Sequence, residues 1–416
     1  MERQYAPFLR LRLEFGRAVT YVPNKDEPRY RWYRYKEAFS RQLVVNLLQE
    51  WQLPPGVLVF DPFAGCGTTL LACQELGYPS LGVDILPLAV FITGVKLRRD
   101  YQADELEAAA EYLLSLPFQD NGKQLPRVHI IDLAFSEETQ RRLVFYRDAI
   151  LERFSPPARD FLLLALLSIL EQVSYTSKDG QFLRLVSRRP KPVEEALREQ
   201  LHKMITDLRR EVFLLAGQPL AASRVLEGDA RALPLDNSYD GTVGAVITSP
   251  PYLNRYDYSR TYALELCMGF VNSFEELRDV RHRLLRSHIE SRPAPTDAVR
   301  LPALDEILQQ LAIKKLNNER IPIMIKGYFE DMNLALKELS RLLSPGGRVA
   351  LVVANARFEG EMVPVDLLLS EIAASHGLIT EEIRVTRYKG NSSQQMNKYG
   401  RVPVRESIAL WRKANA

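Results

Sequence analysis

A short apolar run, Val57-Leu58-Val59-Phe60, leads directly into Asp61-Pro62-Phe63-Ala64-Gly65-Cys66-Gly67-Thr68-Thr69. An unbroken apolar, β-branched run reads as a parallel strand buried on both faces. Gly65 and Gly67 place a loop after it, and Thr68 to Leu76 a helix, at a turn where backbone can approach a ligand closely. Leu81-Gly82-Val83-Asp84 is then a second strand that ends in an acid. Strand, loop, helix and strand make a βαβ opening, and that commits the chain to a parallel α/β sheet.

The loop also narrows the ligand. A dinucleotide fingerprint needs a third glycine where this chain has Leu70, and a phosphate loop needs lysine where it has Thr68. An acid at the end of the second strand can hold ribose hydroxyls, and Asp84 stands there. The pattern predicts a nucleoside without a phosphate chain.

The remaining strands are spread far apart. Asp84 and Asp229 are separated by more residues than a βαβ unit uses, so a helical insertion of about 101–220 lies between them. The sheet resumes at Ala245-Val246-Ile247-Thr248, and a second, arginine-rich helical excursion covers about 270–325. A helix over 332–343, a strand over 348–354, a helix over 365–376 and a strand pair at 383–386 and 407–411 complete the chain. The expected division is a basic, aromatic segment and helix at 1–54, a discontinuous catalytic domain at 55–100, 221–269 and 326–416, and insertions at 101–220 and 270–325. The first insertion is a candidate lobe for recognising DNA.

Charge is not decisive globally. The 416 residues carry a net charge of +3, so local patches must identify the partner. Residues 1–41 hold ten Lys/Arg against five Asp/Glu, interleaved with aromatic side chains from Tyr30 to Phe39. Three cysteines and scattered histidines point to no disulfide framework and no metal site. The longest greasy stretch, Phe161 to Leu170, is about half of the ~20 residues that span a bilayer, so a cytoplasmic protein without membrane contact is expected.

The second motif is Thr248-Ser249-Pro250-Pro251-Tyr252, at the end of a sheet strand. The prolines stiffen the chain and remove two donors, leaving rigid carbonyl acceptors. A hydroxyl, a carbonyl and an aromatic face suit a flat ring that bears an amine.

Together, Asp61–Thr69 and Thr248–Tyr252 resemble the amino-group DNA methyltransferases that use S-adenosylmethionine. The resemblance implies a Rossmann-like class I methyltransferase sheet, here with two helical insertions. It implies cofactor contacts from Asp61, Phe63, Gly65, Gly67, Thr68 and Thr248, a ribose contact from Asp84, and adenine contacts from Asp229 and Ala230. Phe39 and Ser40 sit where a further cofactor motif precedes the first strand. Ser249, Pro250, Pro251 and Tyr252 would be catalytic, and the serine form is typical of enzymes that methylate cytosine N4. The implied chemistry is direct transfer to a base flipped out of double-stranded DNA, in a site-specific enzyme for which a cognate restriction endonuclease is a candidate partner. Adenine N6, an amine in RNA, and a non-catalytic cofactor-binding scaffold remain open alternatives.

Candidate contacts to nucleic acid follow the second motif and lie in the tail. They are Asn254, Arg255, Tyr256 and Tyr258, then Arg387, Lys389, Asn391, Ser392, Ser393 and Gln394. The stretch from Arg384 to Arg405 holds six basic residues and no acid. Polar side chains of this kind can contact phosphates or base edges.

Overall fold

The computed structural model describes residues 1–120, 122–178, 183–214, 220–292, 300–390, 400 and 402–415. Its centre is an eight-stranded sheet. In chain order the strands are β1 (Leu9–Leu11), β2 (Leu58–Asp61), β3 (Ser80–Asp84), β4 (Ser223–Glu227), β5 (Val243–Thr248), β6 (Leu343–Ala354), β7 (Leu378–Lys389) and β8 (Val404–Lys413). They lie in the order β1-β7-β8-β6-β5-β2-β3-β4. Pairing is parallel from β4 through β6, and β8 runs antiparallel to both β6 and β7.

Alternation along the central strands splits their side chains between two cores. Phe60, Val246 and Leu351 enter one, while Val59, Ala245, Ile247 and Val352 enter the other. Both faces of a parallel sheet must be covered, and helices do so here. Helix α1 (Arg41–Trp51) covers one face, with α2 (Thr68–Glu75) and α3 (Pro87–Leu97) following β2 and β3. On the opposite face lie two later helices, Ile321–Leu342 and Val365–Ser375. From β2 the chain winds one way to β3, while β5 lies on the other side of β2. That reversal opens a crevice beyond the carboxyl ends of β2 and β5, the position where open α/β sheets bind ligands.

The first insertion is helical: α4 (Ala103–Ser115), α5 (Glu137–Arg153), α6 (Ala158–Ile169) and α7 (Val193–Leu214). Its apolar stripes do not close on one another alone. They share one core with Trp32 and Tyr35 of the amino-terminal segment, with Ala89, Ile92 and Val95 of α3, and with Tyr262 to Met268. The greasy stretch at Phe161 is the centre of that core, in α6, whose residues from Phe161 to Leu167 are all buried. Among the described residues, no helix is long and apolar enough to cross a membrane.

Several expectations are corrected here. The helix expected over 332–343 begins at Ile321, inside the stretch assigned to the second insertion. Pro322 occupies the first turn, where its missing N–H costs nothing. β1 was not expected at all; it adds three residues to the sheet edge, parallel to β7. Part of the arginine-rich stretch turns inward. Arg281 pairs with Asp257 at 2.8 Å, and the buried Arg286 pairs with Asp331 at 2.7 Å and Glu330 at 2.9 Å.

Candidate active site

Asp61 closes β2, and the glycine loop follows it. Gly65 and Gly67 both take positive φ, 52° and 79°, a conformation that costs a side chain free energy. A Cβ on Gly67 would also stand 2.6 Å from Thr93 Cγ2 of α3. The Thr93 hydroxyl donates to Gly65 O at 3.0 Å. Beneath the loop, the fully buried Lys96 donates to the carbonyls of Tyr30 (3.3 Å) and Cys66 (3.4 Å), and burial lowers its pKa. The loop is therefore held from below by α3.

Two carboxylates face this loop. Asp84 accepts from Gly65 N at 2.8 Å and from Leu86 N at 2.9 Å, yet burial pushes its pKa up to about 6. Asp61 is also pushed to about 6, because burial outweighs the hydrogen bonds from Thr248 Oγ1 (2.6 Å) and Phe63 N (3.1 Å). The Thr248 bond joins the two motifs across the switch point.

A cleft of about 840 Å³, its open mouth included, lies over this loop. Phe63, Ile85, Leu86, Leu284 and Leu285 give it apolar walls, with Asp84 and Asp229 among its polar groups. Phe39, Asp61, Gly65, Thr68, Ala230, Ser249 and Pro251 also line it. Three expected residues do not. Ser40 is buried and gives its hydroxyl to Ala18 O at 2.9 Å, Gly67 packs on Thr93, and Thr248 stands behind Asp61. Asp229 is held by the Arg231 guanidinium at 2.7–3.0 Å, and Arg231 reaches on to Asp331 at 3.1 Å.

A second cavity, about 880 Å³ with its mouth, lies beyond Ser249. Pro250, Tyr252, Asn254, Tyr256, Tyr258, Arg387 and Lys389 line it. The Ser249 hydroxyl donates its proton to Val352 O at 3.0 Å, so its oxygen faces the cavity as an acceptor. Tyr252 donates to Glu406 Oε1 at 2.9 Å. Lys389 Nζ donates to the same oxygen at 2.5 Å and sits 5.2 Å from the Tyr252 ring centroid. Arg387 binds the other oxygen of this buried carboxylate. Burial lowers the pKa of Lys389 and raises that of Tyr252.

Other expected contacts fall elsewhere. Arg255 lines neither cavity; its guanidinium donates to Asn317 Oδ1 at 3.2 Å. In the tail, Arg384 is tied to Glu50 and Glu382, and Arg405 to Asp366. Asn391, Ser392, Ser393 and Gln394 lie outside the described residues.

A family model described as DNA methylase, of the N6/N4 type, matches residues 17–92. Type II methyltransferase M.BsoBI of Geobacillus stearothermophilus is 34% identical, over 99% of this chain and 91% of its own. Type II methyltransferase M.AvaI of Nostoc sp. is also 34% identical, over 99% of this chain and 92% of its own. The chain belongs to the type II DNA methyltransferases of the N6/N4 family.

This type II methyltransferase uses S-adenosylmethionine, and the cleft suits that cofactor. The apolar walls fit an adenine ring. Asp84 retains lone pairs for two ribose hydroxyls, since a carboxylate offers about four acceptor positions and backbone takes two. Its strand order is that of a class I methyltransferase, as the motifs implied. Sequence reasoning missed Tyr35, Glu37, Leu284 and Leu285 in the cleft, and Arg231 beside Asp229. The first two sit in an irregular segment with no period to read. Leu284 and Leu285 reach the cleft only through tertiary folding.

Proposed function

We propose that this methyltransferase transfers a methyl group to N4 of a cytosine flipped out of a specific sequence in duplex DNA. The observation that carries the reading is Ser249, which lines both cavities and points an acceptor oxygen where they meet. A base in the second cavity would stack on Tyr252, and its amine would donate to Ser249 Oγ and to the carbonyl beside Pro250. This turns the nitrogen lone pair toward the first cavity. Lys389 can assist the base: one of its three N–H donors goes to Glu406, and another can serve the ring-nitrogen acceptor beside the amine, N3 in cytosine.

In the first cavity, Asp84 would hold the ribose, Asp229 and Ala230 the adenine edge, and the loop from Asp61 to Gly65 the amino-acid end, with Phe39 beside it. The cofactor supplies an electrophilic methyl group on a sulfonium. The chain supplies orientation, which can lower such a barrier by about 7–11 kcal/mol.

Incubating the protein with labelled cofactor, unmethylated genomic DNA and, separately, total RNA tests the reading. Digestion to nucleosides and mass spectrometry should find N4-methylcytosine in DNA. N6-methyladenine, or label confined to RNA, would overturn it. Ser249→Ala should abolish most turnover while leaving cofactor affinity within about twofold, as expected for a group that acts on the transition state.

A further inference from the structure

Among the described residues, four line both cavities: Glu37, Ala38, Ser249 and Tyr258. Among them Glu37 is the one carboxylate, and it stands where the amine must meet the methyl group. Its oxygens accept from the hydroxyls of Tyr256 and Tyr262. Tyr35 stacks on Tyr262 at 5.0 Å, and Tyr258 packs edge-on to Tyr256 at 5.0 Å, so phenol rings surround it. Burial, with the charge of Glu37 adding to it, raises Tyr258 and Tyr262 well above the usual range, so these phenols stay neutral donors.

The other acids are less suited to receive a proton from the amine. Glu406 lines only the second cavity and is neutralised by Arg387 and Lys389. Asp61 lines only the cofactor cleft and is occupied by Thr248 and Phe63 N. Ser249 is a neutral hydroxyl that donates to Val352 O, so it can accept a hydrogen bond from the amine but is far too weak a base to take its proton. Glu37 forms no ion pair among the described residues. Its anionic charge and the surrounding rings both favour a cation at this junction.

We propose that Glu37 is the proton acceptor of methyl transfer. The amine nitrogen forms its bond to the methyl carbon as the carbon–sulfur bond breaks, with that electron pair left on sulfur. The surplus N–H proton passes to a Glu37 oxygen, which leaves a neutral methylamino group. Protonated Glu37 then returns the proton to solvent through the open second cavity. The inference rests on amino-group transfer at this site and holds for cytosine N4 and adenine N6 alike.

Glu37→Gln and Glu37→Asp test it in the full-length protein. Single-turnover methylation of DNA should slow about 100-fold in the glutamine variant, the usual scale for a lost general base. Its rate should also lose the acid limb of the pH profile, which the aspartate variant keeps. Calorimetry gives a readout that needs no turnover. The wild type should favour sinefungin, whose amine places a cation where the methyl would be, over neutral S-adenosylhomocysteine about tenfold more than Glu37→Gln does. An undiminished rate in Glu37→Gln would overturn the proposal. So would a slow rate with the acid limb and the analogue preference unchanged, or joint loss of cofactor and DNA binding in both variants, since each makes Glu37 structural. Methyladenine as the wild-type product would instead sink the cytosine reading and leave the Glu37 measurements standing.

Discussion

Asp84 accepts two backbone N–H bonds and is still held near 6, so its ionised form is costly in this buried position. Ribose hydroxyls donated to it would favour that ionised form. Cofactor affinity should therefore fall as pH drops through about 6, and Asp84→Asn should flatten the dependence while weakening binding at pH 8 by about tenfold. Calorimetry across pH 5 to 8 checks both parts, and equal pH slopes in the two proteins would remove Asp84 from the site. Asp61 makes the same argument for stability. Its folded pKa of about 6 exceeds the unfolded value of 3.8, so the native state binds the extra proton between them. Stability from this group is then present below about pH 4 and is lost as pH rises through 6, by ~3 kcal/mol. Relative to wild type, Asp61→Asn should become more favourable with rising pH in urea titrations, because asparagine can keep the acceptor for Thr248 without the buried charge. Tyr252 separates ring from hydroxyl. Tyr252→Phe keeps the stacking face and loses only the bond to Glu406, so it should slow turnover about tenfold, the ~1.5 kcal/mol of a bond to a charged group. Tyr252→Ala should slow it far more, with cofactor binding unchanged in both.

At the scale of elements, the glycine loop works because α3 closes under it. Gly67→Ala meets two separate penalties, a φ of 79° and a Cβ placed 2.6 Å from Thr93 Cγ2. Adding Thr93→Ala removes the offending methyl, at the loss of the hydroxyl bond to Gly65 O, and leaves the backbone strain. The single variant should be destabilised by more than about 2 kcal/mol, and the double variant should recover part of that, leaving ~1–2 kcal/mol. Denaturant titration that finds simple additivity would show the contact to be irrelevant. This loop was legible in the sequence because glycine spacing and a terminal acid constrain backbone directly, and β2, α2, β3 and β5 fall within two residues of their expected places. What the spacing could not carry was tertiary placement. Ser40 matches a motif position but turns its hydroxyl to Ala18, and Arg255 follows the Ser249–Tyr252 loop yet bonds to Asn317. Lys389 and Glu406 become neighbours only because β7 and β8 pair antiparallel. The basic tail looked free because its acids lie elsewhere in the chain, at Glu50, Asp366 and Glu406.

For the whole molecule, the first insertion poses a sharper question than its topology suggests. The crossover from β3 to β4 already has α3, so residues 101–220 are dispensable for building the sheet. They are not dispensable for covering it. Trp32 is fully buried between Tyr101 and Phe161, and its indole N–H donates to Asp207 of α7 at 3.1 Å, beside the Arg31 guanidinium. Lys178 reaches Glu265, 13 residues after Tyr252, and Tyr33 donates to the same carboxylate at 2.9 Å. The segment that carries Tyr35 and Glu37 into the site is thus clamped between insertion and sheet. Asp207→Ala leaves the indole and part of the guanidinium without a partner, and it should cost ~3 kcal/mol in urea unfolding. It should also weaken cofactor binding, although no atom of Asp207 lines the cleft. Excising 101–220 goes further, because it strips Ala89, Ile92 and Val95 of α3 and the whole Trp32 face of their cover. An apolar patch of that extent on a monomer drives association. The excised protein should aggregate on size-exclusion chromatography and bind no cofactor. A soluble, cofactor-binding remnant would instead mean that the insertion is a lobe with a core of its own, and that the segment from Trp32 to Glu37 is held by the sheet alone.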